Sequence, residues 1–150
     1  MRVRRDTAED DRPDLAATVV RLGRALVAAE QPILASHALS MWGYIVLTAL
    51  HAEPMRTQAA LARAIGADKT RIIAVLDELQ HRGLIEREPD PADRRVRLLG
   101  LTPAGRDLHA AVRTAIRQEE KRLLARLPAT DRAAFLRSLR ALSRISVGGA

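Results

Sequence analysis

Two short helices are punctuated almost back to back between residues 57 and 83, and the short connection between them leaves little choice of local fold. Thr57 can cap a helix over Gln58–Ile65, whose Leu61 and Ile65 lie one turn apart on the buried side, and Gly66 ends it. Asp68 can cap the next helix, in which Ile72, Leu76 and Leu79 recur at steps of four and three. Gly83 is well placed for the left-handed residue beyond its end. The stretch Ile65-Gly66-Ala67-Asp68 therefore has the length and chemistry of a helix-turn-helix connection.

The segment that follows changes period. Leu84–Glu88 and Arg95–Leu101 are short alternating runs separated by Pro89-Asp90-Pro91-Ala92-Asp93-Arg94, which predicts a β-hairpin with an extended loop. Alternation sets Val96 and Leu98 on one face and Arg95, Arg97 and Leu99 on the other, an imperfect polar split. Thr102-Pro103 reads as the cap and first residue of a long helix to about Leu127, with Leu108, Val112, Ala115 and Leu123 facing inward, until Pro128 stops it. Thr130-Asp131 restarts a last helix with Phe135, Leu139 and Leu142 as its stripe, and residues 147–150 are expected to fray.

Upstream, Leu15, Val19, Leu22, Leu26, Ala29 and Ile33 form a seam of 3.5-residue repeat on a helix beginning after Pro13 and running to about Ser36. That seam is either internal core or a surface for another chain. Ser40 caps a second helix containing Met41–His51, ended before Pro54.

A chain of 150 residues, 47% apolar, builds one compact domain, and only Trp42, Tyr44 and Phe135 are aromatic. Its core must come from Leu, Ile, Val and Ala, which suits packed helices. There is no cysteine, so disulfides, thiolate metal sites and thiol redox sensing are excluded. The basic start Met1–Arg5 runs into acids without a signal-length apolar stretch, and the longest apolar run, Met41–Leu47, cannot span a bilayer. A cytoplasmic protein with no membrane partner is expected. The net charge of +7 permits nucleic acid as a partner, but its location matters. Residues 1–55 carry six Arg against seven acids, residues 56–103 nine cations against seven, and residues 104–150 ten against four. Most of the excess is C-terminal, where solvated helix faces explain it equally well.

Residues 57–105 resemble the winged helix-turn-helix core of MarR-family regulators. The resemblance is carried by Leu79, Gly83, Leu84 and Ile85 at the helix exit, by Asp93 and Arg95 in the wing, and by Leu-Thr-Pro-x-Gly at Leu101–Gly105. With the flanking helices it extends over residues 11–147. It implies a mostly α fold with a small β-hairpin wing, residues 55–103 forming the reading head and residues 11–53 and 104–147 the dimerisation scaffold. It also implies a homodimeric transcriptional repressor on a pseudo-palindromic operator in double-stranded DNA, released by a small aromatic anion.

In such a fold the first turn of the second helix meets base edges while its leucine stripe anchors it. Here that turn offers Lys69, Thr70 and Arg71; Arg71 can bind guanine in bidentate fashion, and Lys69 and Thr70 can reach phosphates or bases. Arg94 and Arg95 at the wing tip suit a narrow minor groove, with Asp93 orienting Arg95 by the family pattern, while Arg97 points to DNA or to solvent. The recognition helix departs from the family at Ile73 and Ala74, where polar or basic residues are common; these touch thymine methyls or pack inward.

His37, Trp42, His51 and His109 are candidates for lining a ligand pocket between the first, second and fifth helices. Gly43 beside Trp42 costs helix stability, for which close approach of a ligand or another helix is one reason. His51 and Glu53 could supply two metal ligands, but no third stands at recognisable spacing, so no metal or other cofactor is expected. No phosphate loop or catalytic arrangement suggests an enzyme. The alternative is a helical protein-interaction dimer without specific DNA binding.

Overall fold

The computed structural model describes residues 11–54 and 56–147. The basic start Met1–Arg5 and most of the expected fraying end, Gly148–Ala150, lie outside the described residues. Six helices and three strands follow in the order α1 (Leu15–Ser36), α2 (Met41–Ala52), β1 (Arg56–Thr57), α3 (Gln58–Ile65), α4 (Lys69–His81), β2 (Ile85–Pro89), β3 (Arg97–Leu101), α5 (Pro103–Leu124) and α6 (Ala129–Val147).

The local punctuation acts where the sequence placed it. Ser40, Thr57, Asp68 and Thr102 each accept a hydrogen bond from the backbone N–H three residues on, satisfying a donor that the first helical turn leaves free. Helix α4 ends in a Schellman motif: Gly83 N donates to the Gln80 carbonyl and Leu84 N to that of Leu79, both at 2.9 Å, with Gly83 at φ 70°. Gly66, at φ 65°, closes α3 through the same pair of bonds from Gly66 N and Ala67 N.

The hairpin is part of a three-stranded antiparallel sheet in the order β1-β3-β2. Ile85 faces Leu101 and Pro89 faces Arg97 across the hairpin, while Arg56 and Thr57 pair with Leu99 and Leu98 on the other edge. Leu99 and Leu101 turn into the core with Ile85, so the β3 face that carries Arg97 at its outer end is apolar at its inner end.

That core joins Val46, Leu47 and Leu50 of α2, Leu61 of α3, Ile72, Leu76 and Leu79 of α4, and Val112 and Ile116 of α5. Two expectations are corrected here, and the position of one open alternative is given. Helix α5 ends at Leu124, three residues early, because the residue before Pro128 is disfavoured in the α region and Leu127 N instead bonds the Leu124 carbonyl. Its inward stripe runs through His109, Val112 and Ile116, and Leu123 is exposed. The seam of α1 is not buried in one chain: Leu15, Val19 and Leu22 are exposed, Leu26 and Ile33 half-buried, and Leu34 is the buried residue of the helix.

Helix α1 continues through Pro32, and α1 and α2 then meet at 87°. Their corner passes through Ala38 at φ 49° and is tied to the exit of α4 by Arg82, whose guanidinium donates to the carbonyls of Ala38 and His37. Among the described residues no single helix is long and apolar enough to cross a membrane.

Candidate nucleic-acid interface

Helix α4 buries Ile72, Leu76 and Leu79 and leaves Lys69, Thr70, Arg71, Ile73 and Ala74 exposed. Ile73 and Ala74 therefore do not pack inward, and the outward face of the helix is apolar in its middle. The first turn is organised by Asp68. Its Oδ1 accepts from Arg71 N at 2.8 Å, and its Oδ2 lies 3.6 Å from Arg71 Nε. Arg71 Cζ stands 5.2 Å from the ring centroid of Trp42, within cation–π range.

The wing loop between β2 and β3 is shaped by two aspartates. Asp90 Oδ1 accepts from Ala92 N at 2.9 Å, closing an Asx turn, and Asp90 N donates to the Val96 carbonyl at 2.8 Å. Asp93 Oδ1 accepts from Arg95 N at 3.1 Å and from Arg95 Nε at 3.3 Å. A carboxylate that accepts from both backbone and guanidinium biases the direction in which Arg95 leaves the loop, and the Arg95 side chain remains 93% exposed. Arg94 and Arg97 are exposed as well. Arg87 of β2, not singled out in the sequence, reaches Asp77 of α4 at 3.4 Å and ties the wing to the recognition helix.

Of the four residues offered for a ligand pocket, the structure brings two into contact. His51 and His109 are neighbours, with ring centroids 4.7 Å apart. Trp42 stands at the other end of α2, about 13 Å away along the axis at 1.5 Å per residue, under Arg71. His37 is at the α1–α2 corner, its Nδ1 2.9 Å from the Ile33 carbonyl. Gly43 needs neither ligand nor second helix to explain it: a Cβ there would press on the buried Leu39 side chain and on the capping hydroxyl of Ser40.

His109 is a core residue of α5. Its Nε2 lies 3.1 Å from Thr48 Oγ1, and its ring stacks on Tyr44 at 5.6 Å. Burial holds the imidazole below its ordinary pKa of 6.5, and the neighbouring His51 and Arg113 push the same way. The folded state thus keeps His109 neutral while the unfolded chain protonates it first. Its contribution to stability is whole above pH 6.5 and drains as pH falls from there through the lower folded value. His109→Gln is expected to flatten the fall in denaturation midpoint between pH 7.5 and 5.5. An unchanged slope would place the titration elsewhere.

A groove of about 330 Å³ between α1 and α5 is lined by Leu22, Leu26, Ile116 and Leu123, with Glu30, Glu119 and Glu120 at its margin. Burial raises the Glu30 carboxyl above its usual range and the charge of Glu120 adds to this. Arg122 is engaged by Glu119 at 2.6 Å and Arg117 by Glu120 at 2.9 Å, and Arg126 also lines the groove, so its polar edge carries both carboxylates and guanidinium groups.

With this geometry in place, comparison with known proteins is specific. The MarR family profile matches residues 40–96. The chain is 32% identical over 97 residues to the transcriptional regulator HosA of Escherichia coli O111:H-, spanning 65% of this chain and 72% of HosA. It is 33% identical over 101 residues to a putative transcriptional regulatory protein for the hcr operon of Thauera aromatica; the match spans 67% of this chain and 61% of that protein. Among solved structures, PcaV of Streptomyces coelicolor in complex with its natural ligand aligns at 30% identity and TM-score 0.65, over 90% of this chain and 98% of that one. The repressor CouR bound to a 23-mer DNA duplex aligns at 27% identity and TM-score 0.76, over 95% and 99%. The fold is that of a winged helix-turn-helix regulator, a class of transcription factors rather than enzymes. The chain belongs to the MarR family.

Proposed function

We propose that this chain is a homodimeric transcriptional repressor that reads a pseudo-palindromic operator, with residues 55–103 as its reading head and residues 11–53 and 104–147 as its dimerising scaffold. Such a repressor works in the cytoplasm, on chromosomal DNA. The observation that carries the reading is the first turn of α4, capped by Asp68 and presenting Lys69, Thr70 and Arg71 outward while Ile72, Leu76 and Leu79 hold the helix to the core. Arg71 contacts guanine, Lys69 and Thr70 contact phosphates or bases, and Ile73 meets a thymine methyl. Arg94, Arg95 and Arg97 of the wing follow the backbone and minor groove, with Asp93 holding Arg95 in position. That CouR was solved on duplex DNA supports the reading.

Gel shifts on an inverted repeat near the gene test it. Arg71→Ala is expected to cost about 1–3 kcal/mol at one operator position and to relax preference there. Arg95→Ala is expected to cost more on A·T-rich flanks than on G·C-rich ones. Equal, sequence-independent losses would reduce both residues to phosphate contacts. Absence of any preference over random duplex across a salt titration would instead favour a protein-interaction dimer, the reading that the exposed, apolar Ile73 and Ala74 support.

Release by a small aromatic anion is the second element of the proposal; the PcaV structure, solved with its natural ligand, supports control by a ligand, and the aromatic anion is this reading's own choice. The groove between α1 and α5 carries Arg122 and Arg126 as well as three carboxylates at its edge, and the surplus arginines of α5 and α6 are the groups suited to meet such a ligand's anionic end. The same gel shifts repeated with salicylate-like acids decide it, since a ligand that leaves the operator titration unmoved has no differential affinity to exert.

A further inference from the structure

We infer that Trp42 is the positioning residue of Arg71: an indole on α2 fixes the plane of the guanidinium with which α4 reads a base. The inference rests on the reading of Arg71 as a base contact given above and assigns its specificity partly to a residue outside the recognition helix.

Three contacts hold Arg71, and each holds a different part. Asp68 Oδ1 takes the backbone N–H at 2.8 Å and fixes the first turn. Asp68 Oδ2 stands 3.6 Å from Nε, an ion-pair distance beyond hydrogen-bonding range, and with both side chains more than half exposed it constrains the guanidinium weakly. The Trp42 ring lies beneath the guanidinium, with Cζ 5.2 Å from its centroid. A bidentate contact to guanine demands one orientation of a planar fork, whereas a free arginine spreads over many rotamers. An aromatic face restricts the plane without consuming an N–H donor, so the terminal nitrogens stay available for O6 and N7.

The helix that carries the ring is anchored. Trp42 is the second residue of a helix whose Val46, Leu47 and Leu50 are fully buried, and whose first turn is set by the Ser40 cap on Gly43 N at 2.9 Å. A partner on a rigid element holds a contact residue better than one on a loop. This also accounts for a large aromatic residue at the start of α2, in a chain with one tryptophan, away from the His51–His109 cluster.

The test compares full-length wild type, Trp42→Leu, Trp42→Tyr, Arg71→Ala and the Trp42→Leu/Arg71→Ala double variant. Each is titrated on the operator, on an operator with the Arg71-dependent base pair changed, and on random duplex. Trp42→Leu is expected to lose about three- to tenfold on the operator alone, Trp42→Tyr to keep most of the affinity, and Trp42→Leu to have no further effect once Arg71 is gone. Arg71→Ala is also expected to change the emission of the single tryptophan in the free protein, a readout that needs no DNA and survives if Trp42→Leu fails to fold.

Equal loss on random duplex, an undiminished loss in the Arg71→Ala background, or unchanged emission overturns the positioning role. So does full operator affinity in Trp42→Leu where Arg71→Ala is impaired. If Arg71→Ala itself binds the operator as wild type does, the reading of Arg71 falls, and the inference falls with it.

Discussion

Gly105→Ala is expected to lower stability by about 3 kcal/mol or more, the upper part of the range for overpacking and beyond, because a Cβ at this position would collide with the Leu84 backbone carbonyl. The site cannot yield cheaply. The Leu84 carbonyl accepts Thr102 N at 3.2 Å, Thr102 Oγ1 donates to the Gly83 carbonyl at 2.6 Å, and the same oxygen caps α5 by accepting Gly105 N at 3.0 Å. The exit of the recognition helix and the start of α5 are thus pressed backbone to backbone at a residue that must be glycine for reasons of space. Gly83→Ala is the comparison: nothing crowds that position, and only its φ of 70° opposes a side chain, which costs about 1–2 kcal/mol. Thermal denaturation at matched protein concentration should therefore place Gly105→Ala clearly below Gly83→Ala, which should in turn lie below wild type. The reverse order would mean that Leu84 and the start of α5 part without cost.

The same two glycines show what was legible in the sequence. Features that act within one turn were readable, because the chemistry of Ser40, Thr57, Asp68, Gly66, Gly83 and Thr102 is completed by residues three to five positions away. Features completed by distant residues were not. The strand at Arg56–Thr57 exists because Leu98 and Leu99 lie alongside it, and no local pattern announces two residues of β structure. Trp42 read as a ligand-site aromatic because its partner Arg71 is 29 positions later, on a helix whose orientation the sequence does not state. His51 and His109 stand side by side while Trp42 and His37 lie elsewhere, since residue type suggests a shared pocket while only the packing of α2 on α5 decides who meets whom. Gly43 is the converse case, where a remote cause was expected and the neighbours Leu39 and Ser40 suffice.

Leu142→Asp is expected to turn a dimer into a monomer at micromolar concentration and to weaken operator binding by about a hundredfold or more. The argument starts from where a single chain leaves its apolar surface. Of the eleven large hydrophobic side chains exposed among the described residues, ten lie on α1, on α6 or at the end of α5 and the turn after it, and only Ile73 lies in the reading head. Leu15, Leu142 and Ile145 are 62%, 58% and 73% exposed, a clustering that marks an interaction surface rather than scattered singles. Leu15, Val19 and Leu22 in the N-terminal half of the α1 seam belong to that exposed apolar set, which favours the reading of the seam as a surface for another chain. A carboxylate buried there without a partner costs several kcal/mol, and in a two-fold interface it is buried twice. Operator affinity should fall with it, because two half-sites about 10 bp apart are bound together only when the interface sets the spacing of the two recognition helices. Arg71→Ala separates the two effects, since it is expected to weaken specific binding in a protein that remains dimeric. Light scattering and gel shifts on the same preparations make the comparison. A monomeric wild type, or a Leu142→Asp variant that stays dimeric with unaltered operator affinity, would show that this apolar surface serves some other contact.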